Sequence, residues 1–528
     1  MNALTGTGVL MRLALRRDRV LLPVWITAFL MMAVTSAAAT KDLFPTVASI
    51  VQAASLMNGT PALVAVYGRI FDPTSLGALA MLKAMGSGSV LVAIFSIIVV
   101  VRHTRAEEDA GRLELVGSGV VGRWAPLTAA LSVAIGADVV LGLVTGIAVA
   151  LAGLPVAGSL AFGLAWVCVG LVFACVAAVT VQLVASKRAA TGLALAVLGL
   201  AFLLRAVGDV TGPRWLSWLS PLAWAQQLRP YEGDRWWVAW IALAFAAIVA
   251  AVAYLLVARR DHGAGMLPDR LGPAGASRWL RGPFSLAWRL QRGSLIGWTI
   301  GFVLYGLLVG SVAGSIGDMV GSAESQEMFR ALGGVEGLTD AVFAAMFGLL
   351  GVVAAGYGVQ AAMRLHAEES DHRADPVLVA GVSRACWVMS HVSVALTGTA
   401  LLLVGAGLAA GVVHAVRTGD ATQVGRVFAG AVVEVPAAWV LTGVAVVLFG
   451  AARALAGAGW AVLAVFLLLG DLGPVLKLDQ WLMDLSPFTH VPHLPGGTFA
   501  AMPMAWLAVS TLLLTGAGLM ALRRRDVG

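Results

Sequence analysis

Residues 90–123 read VLVAIFSIIVVVRHTRAEEDAGRLELVGSGVVGR, and residues 351–384 read GVVAAGYGVQAAMRLHAEESDHRADPVLVAGVSR. At a constant offset of 261, without a gap, Ala106-Glu107-Glu108 meets Ala367-Glu368-Glu369, and Arg112 and Glu114 meet Arg373 and Asp375. Val121 and Arg123 close the first copy as Val382 and Arg384 close the second. Each copy follows a long apolar run. In a chain that is 59% hydrophobic, these are two of its few dense clusters of charge. Their repetition predicts a pair of docking surfaces on one side of a membrane.

Composition sets the class. A mean hydropathy of +0.90 with 12% charged residues excludes an ordinary soluble domain, where about 25% are charged. Apolar runs able to span a bilayer, about 20 residues each, lie near 20–40, 76–101, 126–153, 158–185, 189–207 and 237–258. Six more lie near 294–316, 341–363, 386–415, 427–451, 457–476 and 503–522. In lipid each segment must satisfy its own backbone, so the spans are helices. With a cytoplasmic N-terminus, 24 of the 35 basic residues fall in inner segments, as the positive-inside bias requires. Twelve spans return Arg523-Arg524-Arg525 to the starting side, so both termini are expected in the cytoplasm.

The net charge of +7 then reflects inner loops facing anionic headgroups. Scattered over many loops, these basic residues form no stripe for nucleic acid. Cys168 and Cys175 stand seven apart on one helix, about 10 Å by helical rise, too far for a disulfide. Neither they nor Cys386 show metal or redox spacing.

Further matches extend the repeat over the whole chain. Arg16-x-x-Arg19-x-x-Leu22-x-x-Trp25 recurs as Arg289-x-x-Arg292-x-x-Leu295-x-x-Trp298. A cleavable leader would have no reason to recur mid-chain, so residues 21–40 are expected to be a retained helix. Trp215-Leu216-x-x-Leu219-Ser220-Pro221 recurs as Trp481-Leu482-x-x-Leu485-Ser486-Pro487, and Arg188-x-x-x-Gly192 as Arg453-x-x-x-Gly457. The expected fold is all-α: twelve transmembrane helices in two parallel halves, 1–260 and 282–528, joined by a Gly-, Pro- and Arg-rich cytoplasmic linker over 261–281. Each half opens with a basic amphipathic segment, Leu10 to Arg19 and Phe284 to Arg292, expected to lie along the inner membrane surface.

The Glu-Glu clusters carry charge at helical spacing. Glu108 to Arg112 and Glu369 to Arg373 are i,i+4 pairs in the favourable orientation. A second option pairs the glutamates with the neighbouring basic segment, through Arg16 or Arg19 and through Arg289 or Arg292. As exposed loop charges, Glu107 and Glu108 are expected to tolerate reversal without loss of the fold.

This pattern between the second and third spans resembles the coupling segment of ABC-2-type exporter permeases. The Leu-Ser-Pro before each half's last span is similar to theirs. A fused six-plus-six chain of this length resembles the actinobacterial permeases described as exporters of polyketide antibiotics. That resemblance implies a type V, ABCG-like transmembrane domain in a bacterial cytoplasmic membrane, with two copies of a separate ATP-binding subunit docked beneath. ATP and Mg would bind in that partner. This chain holds no Gly-x-x-x-x-Gly-Lys-Ser/Thr phosphate loop, so no hydrolysis is expected in it. Carried over by position, Glu107, Glu108, Arg112, Glu114 and Arg123, with Glu368, Glu369, Arg373, Asp375 and Arg384, would form the two coupling sites.

The copies differ where His372 replaces Gly111 and Pro376 replaces Leu115. A proline pushes its predecessor out of helical geometry, so the second coupling helix is expected to end near Ala374, sooner than the first. In ABCG-like transporters the second and fifth spans of each half line the central path, which here would place Phe95, Phe202, Phe347, Tyr357 and Phe466 on it. With few intramembrane charges, they imply a hydrophobic or amphipathic cargo: antibiotic, drug or lipid. The main alternative is a proton-coupled transporter, with Asp138 and Glu434 as the intramembrane acids. It would normally carry a Gly-x-x-x-Asp-Arg/Lys-x-Gly-Arg-Arg loop, which residues 102–123 do not supply. A membrane enzyme would need a group such as Asp484, His490 and His493 to act together.

Overall fold

The computed structural model describes residues 3–112, 119–211, 214–260, 264–267, 274–316, 334–452, 455, 457–472 and 479–524. Glu114, Arg453 and parts of the 261–281 linker lie outside them. The chain divides into two compact units, Met1–Gly272 and Pro273–Gly528.

The first unit runs α1 (Thr7–Arg17), α2 (Leu21–Leu43), α3 (Val47–Gly59), α4 (Pro61–Tyr67), α5 (Leu76–Lys83), a π-helical turn (Ala84–Gly88), α6 (Ser89–His103) and α7 (Arg105–Asp109). It continues with α8 (Ala125–Leu151), α9 (Val156–Leu183), α10 (Lys187–Thr211), α11 (Arg214–Trp218), α12 (Pro221–Gln227) and α13 (Val238–Arg259). The second unit runs α14 (Pro283–Ile316), α15 (Gly334–Ala362), α16 (Arg364–Ser370), α17 (Asp375–Val379), α18 (Arg384–Thr418), α19 (Thr422–Val432) and α20 (Val435–Ala451). It ends with α21 (Ala458–Leu472), α22 (Gln480–Met483), a short 3-10 turn (Pro487–His490) and α23 (Ala501–Arg523). No strand occurs among the described residues.

Among the described residues, eleven helical segments are long and apolar enough to cross a membrane. The expected span at 457–476 is described over Ala458–Leu472, 15 residues, and residues 473–478 lie outside the described set. This is an all-α membrane protein.

Packing relies on small residues, because lipid is as apolar as a leucine side chain and close backbone approach must supply the contact. In the first unit, a Cβ added at Gly163 of α9 would meet the Gly142 carbonyl of α8 at 2.2 Å. In the second, a Cβ at Gly450 of α20 would meet the Gly518 carbonyl of α23 at 2.3 Å. The first core gathers around α9, where Phe162, Trp166 and Phe173 are fully buried. Cys168 and Cys175 are buried free thiols there.

The units bend in different places. In the first, the second span is interrupted by the π turn, and Trp166 Nε1 donates to the Ala84 carbonyl at 3.2 Å. In the second, α15 is unbroken, and the bend falls between α19 and α20, at Val433 and Glu434, just before Pro436. The opening segments differ as well. α1 is a separate helix, whereas 284–292 belongs to the long α14, so the expected surface helix of the second unit merges with its first span.

Candidate functional site

The repeated charged segment forms one end of each unit. In the first unit the chain breaks at Thr104 (φ −123°, ψ −89°), makes the five-residue α7 and turns at Gly111 with φ +68°. In the second it leaves α15, makes the seven-residue α16 and turns at His372 with φ +55°. Gly111 and His372 occupy the same register of the repeat. Both adopt the left-handed conformation, which histidine visits several-fold more readily than most residues. The Gly-to-His exchange therefore preserves the turn.

Among the described residues, Glu108 takes partners other than the expected i,i+4 Arg112. Glu107 accepts from Arg112 Nε at 2.8 Å and Nη2 at 3.0 Å, and pairs with Arg17 of α1. Arg17 thus fills the role expected of Arg16 or Arg19, which stay exposed. Glu108 pairs with Arg105 and, at 2.5 Å, with Arg260 beyond α13. Arg105 is only 1% exposed, and its Nη2 donates to the Ala264 carbonyl at 3.1 Å. Glu108 is therefore an internal tie and not the exposed loop charge expected. The reason is distance in sequence: Arg260 stands 152 residues away.

Neighbouring charges reinforce this end. Asp18 is fully buried, 2.9 Å from Arg102 and 2.5 Å from His103. Arg123 donates to the Val257 carbonyl at 3.0 Å and to the Arg260 carbonyl at 2.7 Å, a cation on the C-terminal carbonyls of α13. Asp109 accepts from the Lys187 N–H at 2.8 Å, where an acid suits the N-terminus of α10.

In the second unit Glu368 pairs with Arg364 at 2.8 Å and lies 3.8 Å from Arg373, which also pairs with Asp371. Glu369 is buried and Arg384 half-buried. Ser383 caps α18 by accepting from the Cys386 N–H at 3.2 Å. α16 ends at Ser370, before the expected Ala374, and Asp375 is itself helical as the first residue of α17. Pro376 follows it in the first turn, where a missing N–H costs nothing. Among the side chains left outward are Asp109 and Arg112 in the first segment and Asp371, His372, Arg373 and Asp375 in the second. Val379, at 87% exposure, joins them. Sequence reading passed over Val379 because one valine in an apolar chain carries no signal.

The residues expected on a substrate path separate into packing and lining groups. Phe95 is buried, 5.3 Å from Trp25. Phe347 stacks on Phe343 at 5.8 Å, and Tyr357 is buried against Trp298. Phe202 lies 4.7 Å beneath the Arg205 guanidinium. Asp138 is buried and accepts from Ser96 Oγ at 2.9 Å. By contrast, Phe466 and Glu434 line one cavity of about 430 Å³ within the second unit. An apolar groove of about 530 Å³ runs along Gly297, Trp298, Gly301, Tyr305 and Leu349, between α14 and α15. Neither hollow was legible in the sequence.

At the opposite end of the first unit, Glu232 accepts the N–H groups of Phe71 at 2.7 Å and Asp72 at 2.9 Å. Burial pushes its carboxyl up to about 7. His490 Nε2 donates to the Asp484 carbonyl at 2.9 Å, which commits that ring nitrogen to the backbone.

The family described as multidrug efflux system permease Rv1217c, C-terminal domain, matches the chain twice, over residues 10–257 and 280–523. The multidrug efflux system permease protein Rv1217c of Mycobacterium tuberculosis (strain ATCC 25618 / H37Rv) is 43% identical over 529 residues, covering 100% of this chain and 96% of the relative.

Proposed function

The chain belongs to the Rv1217c family of multidrug efflux permeases, and from that premise we propose that it is the membrane subunit of an ATP-driven exporter. It sits in the bacterial cytoplasmic membrane with both termini inside, and moves hydrophobic or amphipathic compounds outward. Two copies of a separate ATP-binding subunit dock on the two charged segments, and they alone bind Mg and hydrolyse ATP. The observation that carries the reading is the duplicated end segment, α7 and α16 with their left-handed turns, in a chain without a phosphate loop.

The docking contact in this reading uses the outward groups. Arg112, Arg373, Asp375 and Val379 face the ATPase, while Glu107, Glu108 and Glu368 hold the segment in shape through their ion pairs. Binding energy at such contacts concentrates in a few residues around an apolar centre, and Val379 supplies one. Arg17 then ties the docking segment to α1, Arg260 ties it to the end of α13, and Arg102 joins α6 to Asp18 at the end of α1, so movement of the ATPase reaches the spans through ion pairs.

The test is drug efflux from cells expressing the chain with its ATP-binding subunit, without it, and with an ATPase unable to hydrolyse. Efflux in the first case alone is expected. Efflux from vesicles driven by a proton gradient, with no ATP-binding subunit present, would overturn the proposal.

A further inference from the structure

The cavity of about 430 Å³ in the second unit is large enough for a small ligand. Its walls are mostly apolar: Gly348, Leu349 and Val352 of α15, Phe466 of α21, and Phe488 and Val491 before α23. Into it faces Glu434, at the break between α19 and α20 and only 6% exposed. Its Oε2 has no hydrogen-bond partner among the described residues. Glycine makes the room, since a Cβ at Gly351 would lie 2.6 Å from that oxygen.

The other polar groups are largely committed. Gln480 donates to Asp484 at 2.8 Å, and Thr489 Oγ1 donates to the Ser486 carbonyl at 2.7 Å. Arg426, two helical turns before Glu434, is paired with Asp340. The exposed His493 also borders the cavity. An unmatched acid in such surroundings is costly and marks a functional site in a membrane protein.

We infer that this cavity binds an amphipathic organic cation, with the positive nitrogen held against Glu434 and the apolar body against Phe466, Phe488 and α15. A desolvated charge pair supplies the selectivity, and the two aromatic faces add cation–π attraction. The inference rests on the exporter reading for its biological sense, since it names the class of cargo.

The test is equilibrium binding to the purified full chain in lipid nanodiscs, with methylphenylpyridinium as the cation and methylbiphenyl as its uncharged isostere. The wild type should bind the cation more tightly than the isostere. Glu434→Gln should weaken the cation about tenfold or more while leaving the isostere unchanged, and Glu434→Asp should restore part of the loss. Equal cation binding by wild type and Glu434→Gln, or no preference for the cation in the wild type, overturns the inference.

If Glu434→Gln is not recovered folded, Gly348→Leu serves instead. A Cβ there has only Glu434 Oε1 nearby, at 4.0 Å. This variant fills the cavity and should lose both probes, and retained cation binding overturns the inference. No ATPase enters these measurements. Their failure leaves ATP-driven export standing, whereas efflux without an ATPase would fell that reading and leave the binding site intact.

Discussion

The two end segments share a backbone and differ in how they are fastened. At the repeat's own register, Arg17 and Asp18 of the first half face Leu290 and Gln291 of the second. Arg17 grips Glu107, and buried Asp18 holds Arg102 and His103. In the second unit Gln291 donates instead to His391 Nδ1 at 3.0 Å, and Glu368 takes its cations from within its own segment. The first unit is tied across the fold by charge, whereas the second carries its ion pairs locally, on a continuous α14. A duplicated framework has kept its turn geometry while letting its electrostatics diverge. The two units thus keep one turn and fasten it unequally.

Charge reversal should separate the two most strongly. Glu108→Lys places a third cation beside Arg105 and Arg260, whose side chains are almost fully buried, and breaking such a pair costs about 3–5 kcal/mol. Glu368→Lys meets Arg364 and Arg373, both more exposed, so water screens much of the repulsion. Thermal unfolding in detergent should show a large fall for the first and a smaller one for the second. Equal falls would break the comparison.

Next in size is Asp18→Gln, which gives the first unit the second unit's residue. It leaves His103 and Arg102 without their buried acid, at a cost of about 1–3 kcal/mol. It should also reduce drug-stimulated ATP hydrolysis, whereas Gln291→Ala should affect hydrolysis less. A larger effect of Gln291→Ala on hydrolysis would place the main relay in the second unit.

The far end of the first unit gives a milder, pH-dependent test of the same reliance on buried charge. Glu232 is raised from an ordinary 4.5 to about 7 by burial. The folded state therefore holds a proton that the unfolded state releases, so stability falls as pH rises from about 4.5 to about 7 and then levels off. The protection factor against hydrogen exchange at residues 70–72, the unstructured amide's rate over the observed rate at each pH, should fall across that window, and Glu232→Gln should flatten the response. A wild-type profile independent of pH would remove it.

The spans and the repeat were legible because hydropathy and paired motifs are local and redundant. Turn geometry was half legible. The Gly111/His372 exchange looked like drift in the letters, while both residues meet one backbone requirement. In the sequence Pro376 suggests a terminator, but a proline is equally at home in the first turn of a new helix, and α17 begins there. Ion-pair partners were not legible, since Arg260 with Glu108 and Arg17 with Glu107 join residues 152 and 90 apart. The lining role of Glu434 also needed the fold, because α15, α21 and the 480–493 stretch converge on it only in three dimensions.

The smallest expected effect tests the shared turn itself. If Gly111 and His372 answer the same conformational demand, exchanging them should be nearly free. His372→Gly relieves a left-handed residue, a gain of about 1 kcal/mol, and loses a 3.2 Å contact with Asp375 between two largely exposed side chains, a contact of little worth. A Cβ at Gly111 meets nothing within 4 Å, so Gly111→His should cost only the backbone term, about 1 kcal/mol. Gly111→Val should cost more, because a β-branched residue is a genuine outlier at positive φ. The expected order of melting temperatures is therefore His372→Gly at or just above wild type, then Gly111→His, then Gly111→Val. If Gly111→His proved as damaging as Gly111→Val, the histidine of the second unit would need another reason to be there, and the two turns would no longer be equivalent.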